Sequence, residues 1–185
     1  YLYGYMATMT GAEIEVSNDR YFRTSELLCC LTDTPRTNLN YYYPKISRPY
    51  RYVRFTPPPP AYPTADCRAE IAELAFFDSV DSEEHLPSKA IYGGGPVDEN
   101  PAHDIDKACD DDWLTFYYSS GPQDSIVFDL QRARVIKKIL FVPRNDDNFI
   151  TPGNVYELFY QSGVKGWISL GVQTATTNEL IYRNI

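Results

Sequence analysis

The sequence predicts an all-β protein built as an antiparallel β-sandwich. Three observations predict it. The apolar runs are short, rich in β-branched and aromatic residues, and bounded by Gly, Pro, Asn or Asp. Helical periodicity is scarce. Aromatics make up 15% of the 185 residues, and 16 are tyrosines, which suit strands and ligand-stacking surfaces.

The elements follow in order. Residues 12–17 (AEIEVS), 26–32 (ELLCCLT) and 50–56 (YRYVRFT) read as strands, the last alternating apolar residues with arginine as a half-wet strand should. The run 56–63 (TPPPPAYP) cannot join a ladder, because proline lacks the N–H, and reads as a stiff extended loop. Further strands are expected at 71–77, 125–130, 135–142, 155–160, 166–171 and 179–185. The tyrosines at 41–43 read either as an exposed cluster or as one more strand. The polar, acidic, Gly/Pro-rich segment 78–101 is the linker candidate.

A weak internal repeat spans that segment. Residues 11–34 lie over 153–176: a glycine, a strand containing Glu15 or Glu157, a polar turn, an aromatic (Phe22 or Trp167), then a second apolar strand. The copies are out of phase with the ends of the chain. The expected organisation is therefore the C-terminal part of one sandwich (1–78), a linker (79–99) and the N-terminal part of a second (100–185), cut from a longer multidomain protein whose start has been processed or trimmed.

Charge and motifs exclude several functions. A net charge of −8 argues against a nucleic-acid partner and is compatible with a bound cation. No apolar run approaches the ~20 residues of a membrane span. Cys29, Cys30, Cys67 and Cys109 form no CxxC pair and only His85 and His103 accompany them, so a zinc site is not expected; the cysteines read as buried or half-buried, with a disulfide left open. G-x-S-x-G, P-loop, G-x-G-x-x-G and H-E-x-x-H are all missing, and the chain reads as non-catalytic.

The chemistry concentrates in Lys107–Thr115, KACDDDWLT. Three consecutive aspartates repel one another, so the stretch is either a solvated acidic loop or a cation site. An EF-hand starting at Asp104 fails, since Cys109 stands where glycine is required and Thr115 where a bidentate glutamate is required.

The same stretch resembles the first loop of discoidin-type (coagulation factor 5/8 type C, galactose-binding-like) jelly-roll modules, patterned Lys-Ala-x-Asp-Gly-Asp-x-x-Thr. The order of later segments is similar: SIVFDL, RVIKKILFVPRND and YELFYQSGVKGWISLG follow in the second half. IEVSNDRYF and YRYVRF…IAELAFF resemble the hairpin and closing strands in the first. The resemblance is nearest to modules of Bacteroidetes surface proteins. It implies a structural calcium held by the Asp110 carboxylate, the Lys107 and Asp112 carbonyls, and the Thr115 carbonyl and hydroxyl. Ala72-Glu73 has the look of the residues that complete such a shell, but falls in the other copy. Asp111 stands in place of the family glycine.

The resemblance also implies ligand binding at the loop-rich end. Arg144, Asn145, Asn148 and Phe149 are the first candidates, with Tyr117 and Tyr118 where sugar-binding relatives carry a tryptophan and a histidine. Against this, Arg144 pairs equally well with Asp146, Asp147 or Asp129, and Trp167 reads as core. The expected function is a carbohydrate (glycan)-binding module, extracellular, cell-surface or periplasmic. The competing expectation is a protein–protein module that positions a neighbouring catalytic domain.

Overall fold

The computed structural model describes residues 7–35, 39–60, 67–96, 98–144 and 150–183. The chain divides into two compact units, Tyr1–Asn145 and Asp146–Ile185.

The first unit is an antiparallel β-sandwich. Its strands are β1 (Glu13–Ser17), β2 (Glu26–Cys30), β3 (Asn40–Tyr42), β4 (Tyr50–Thr56), β5 (Glu70–Phe77), β6 (Lys89–Tyr92), β7 (Tyr117–Tyr118), β8 (Ile126–Arg134) and β9 (Lys138–Pro143). One sheet has the order β2-β1-β4-β8-β6, the other β3-β9-β5-β7. The expected strands hold within a few residues, except 179–185, which is not a strand over its described residues. β4 ends at Thr56, where the proline run begins.

Alternation explains the core. In β4, Val53 and Phe55 are fully buried while Arg54 and Thr56, on the other face, keep partial access to water. Phe55 of one sheet stacks on Phe141 of the other at 5.7 Å, and Phe76 meets Phe128 edge-on at 5.6 Å. Each buried side chain of this size contributes about 1.5–3 kcal/mol of transfer free energy. Cys29, Cys30 and Cys109 are free and half-buried, and Cys67 is buried.

The structure differs from the expected division at 79–99. Both phenylalanine pairs join a residue from 1–78 to one from 100–145, β4 pairs with β8, and β5 pairs with β9. The supposed linker contains β6, which hydrogen-bonds to β8. Residues before and after 79–99, up to Asn145, build one sandwich together, because each part supplies strands that the other's apolar faces require.

The second unit is a hairpin, β10 (Val155–Ser162) with β11 (Gly166–Thr174). Its open end is closed by the same two backbone hydrogen bonds as the β1–β2 hairpin. Gly11 N–H donates to Leu31 O (2.7 Å) and Leu31 N–H to Ala12 O (2.9 Å); Gly153 N–H donates to Ala175 O (2.8 Å) and Ala175 N–H to Asn154 O (2.9 Å). Gly11 and Gly153 share a left-handed backbone, φ 95° and 92°, which side chains resist. The Glu13↔Cys30 register becomes Val155↔Thr174. Burial separates the copies: Ala12, Ile14 and Val16 are fully buried, whereas most of β10 is exposed. Trp167, expected in a core, is 71% exposed, since a two-stranded hairpin has no second layer to cover it.

Candidate functional site

The acidic stretch lies where a 3-10 turn, Ile105–Ala108, runs into an irregular loop. Asp104 caps that turn, its side chain accepting from the Ile105 N–H. The loop then folds its oxygens inward. Thr115 Oγ1 lies 2.9 Å from both carboxylate oxygens of Asp110 and 3.0 Å from the Asp112 carbonyl. Asp112 N–H donates to Asp110 Oδ1 at 3.2 Å. Three of the expected calcium ligands, Asp110, Asp112 and Thr115, thus meet at one point. Lys107 meets them by its ammonium, 3.2 Å from Asp110 Oδ2, and that contact, with Asp106 nearby, raises the lysine pKa.

Glu73 reaches the same loop from β5. Its carboxylate accepts from Asp111 N–H at 3.0 Å and is buried. Burial, with Asp111 and Asp110 adding repulsion, pushes its pKa up to about 8, although the hydrogen bond from Asp111 opposes the shift. The Glu73 expected in one partial copy and the loop expected in the other therefore form one constellation. Asp111 has φ 62°, the left-handed conformation that favours glycine. Its carboxylate pairs with His85 Nε2 at 2.9 Å.

Oxygens of this kind suit a hard cation such as calcium. Among the described residues no group of three or more His, Cys, Asp and Glu side chains is placed to hold a metal. Asp110, the Asp112 carbonyl and Thr115 would hold the ion, and it would neutralise the repulsion among the acidic side chains.

Next to this loop stands a stack of rings and cations. Phe116 stacks on His103 at 4.3 Å. The Arg144 guanidinium lies 4.3 Å from the Phe116 ring centroid and 4.8 Å from that of Tyr118. Arg68 covers Tyr118 at 5.9 Å. Arg144 also approaches Glu70 at 3.4 Å, a different carboxylate from the aspartates weighed in the sequence, while its N–H donates to the Glu70 carbonyl at 3.1 Å. His103 is held by Asp98 at 2.8 Å.

The expected ligand residues separate. Arg144 and Tyr118 come together, and Phe116 joins them unforeseen; its place directly after Thr115 was the available signal. Tyr117 is a correction. It is fully buried, its hydroxyl donates to the Gly94 carbonyl at 3.0 Å, and burial raises its pKa. Strand alternation sends Tyr117 into the core and Tyr118 outward. Asn145, Asn148 and Phe149 lie outside the described residues.

No helix among the described residues is long and apolar enough to cross a membrane. No family model matches the chain, and neither a curated protein nor a solved structure matches it.

Proposed function

We propose that this chain is a non-catalytic carbohydrate-binding module of the discoidin type, from a secreted or cell-surface protein, with a structural calcium at the acidic loop. The observation that carries the reading is the Arg144 guanidinium held over the rings of Phe116 and Tyr118. A guanidinium fixed in that way can offer donors to sugar hydroxyls at little entropic cost. The oxygens of Asp110, Asp112 and Thr115 support the calcium part of the reading.

Calorimetric titration with mono- and disaccharides, in calcium and in chelator, tests it. The expected result is a sugar response that Arg144→Ala reduces at least tenfold and that chelation weakens. A flat response to every sugar overturns it.

One observation favours a second reading, a protein-interaction module. The β10–β11 hairpin exposes Phe159, Trp167 and Val172, and aromatic groups of this kind anchor protein interfaces.

A further inference from the structure

The outer face of the five-stranded sheet carries a straight cross-strand row. Glu15 of β1 pairs with Arg54 of β4, Arg54 with Val127 of β8, and Val127 with Tyr92 of β6. Three strand spacings make this row roughly 14 Å long. Above it lies a groove of about 610 Å³, lined by Arg20, Tyr21, Phe22, Tyr92, Gln123 and Asp124 beside Arg54 and Val127.

The groove has a fixed floor and aromatic lips. Arg54 is pinned from two sides: Nε and Nη2 donate to Glu15 at 2.9 and 2.5 Å, and Phe22 covers the guanidinium at 4.5 Å. Phe22 belongs to the β1–β2 turn and holds φ 52°, a conformation a bulky residue adopts only under constraint. Gln123, on the flank, holds φ 65°. Strained backbone gathers at working surfaces, and two such residues meet here. Tyr21 is 78% exposed and Tyr92 68%. Asp124 is also fixed. It accepts from Gly121 N–H at 2.7 Å and Ser120 Oγ at 3.2 Å, and a side chain at Gly94 would collide with its carboxylate. A carboxylate has about four acceptor sites, so Asp124 keeps capacity for further donors.

Resting on the glycan-binding reading above, we infer that this groove is a second sugar site, holding an extended neutral glycan chain across the sheet. Exposed tyrosine faces at both ends stack on sugar rings, and Asp124, Gln123 and Arg20 exchange hydrogen bonds with hydroxyls between them. Among the floor strands, β1, β4 and β8 are paired on both sides, so a peptide could add a strand only at β6. A polyanion is repelled by the net charge of −8.

Native-gel affinity electrophoresis in xylan, galactomannan and mixed-linkage β-glucan tests the inference. At least one polysaccharide should retard the chain, and Tyr21→Ala with Tyr92→Ala should lower the apparent affinity at least tenfold. Both side chains are exposed, so the fold survives the change. Retardation by none of the three, or equal retardation of the double variant and the parent chain, overturns the groove. If Arg144→Ala abolishes retardation while the double variant keeps it, the groove fails and the loop-end reading stands. Loss in the double variant with no response to mono- or disaccharides in calorimetry supports the groove and removes the loop-end site.

Discussion

The backbone N–H of Asp111 donates to the carboxylate of Glu73 across 3.0 Å, joining two residues that lie 38 positions apart. Glu73 comes from the interior of β5, and Asp111 from the middle of a run of three aspartates. A buried carboxylate beside other carboxylates holds its proton, and this one does so up to about pH 8.

Stability should therefore fall as the solution becomes alkaline. Glu73 has a folded pKa of about 8 against the ordinary glutamate value of 4.5. Its folded state binds the proton more tightly, so its contribution is fully present below the lower value and is lost as pH rises towards the upper one. The slope is about 1.4 kcal/mol per pH unit between them. Urea midpoints from pH 4.5 to 8.5 should show this decline, and Glu73→Gln should remove most of it. An unchanged profile in the variant would place the titrating group elsewhere.

Asp111 tests the cost of its left-handed backbone. Asp111→Gly removes the strain at φ 62° and loses only an exposed pair with His85. It should stabilise the sandwich by up to about 1 kcal/mol, whereas Asp111→Ala, which keeps a Cβ and loses the pair, should destabilise it by a similar amount. Equal urea midpoints for the two variants would show that φ is not the controlling quantity.

Phe55 and Phe141 tie the sheets together. Phe55→Ala or Phe141→Ala should each cost about 3–5 kcal/mol, and a double-mutant cycle should return a coupling of about 0.5–1.5 kcal/mol. Additive losses would mean that the 5.7 Å stack contributes only burial.

The paired glycines separate the two units. Gly11→Ala and Gly153→Ala both force a Cβ into φ above 90°, but only at Gly11 does the new atom meet a neighbour, Pro58 Cβ at 3.3 Å. Hydrogen exchange should show Gly11→Ala loosening β1, β2 and β4, and Gly153→Ala loosening residues 153–175. Unchanged exchange over 153–175 in Gly153→Ala would show that the left-handed backbone there costs nothing.

Strand identity was legible wherever an apolar run had clear punctuation, as at 50–56 before its prolines. Two strands were not. Lys89–Tyr92 is short and sits among glycine and proline, and Tyr117–Tyr118 has two residues, so neither shows a period. In both, backbone pairing to a neighbour outweighs local signal. Arg144 was legible as a polar residue at a loop, but its ring partners arrive from elsewhere in the fold.

The sequence by itself determined the all-β class, most strand positions, the hairpin repeat and the oxygen-rich character of 107–115. These depend on residue type and local spacing, which act within a few positions. Tertiary structure alone decided that 1–78 and 100–145 share one sandwich, that Glu73 meets Asp111, that Tyr117 is core, and that Trp167 is not. Each of those outcomes depends on which strand pairs with which, and pairing is selected by long-range burial that no single segment encodes.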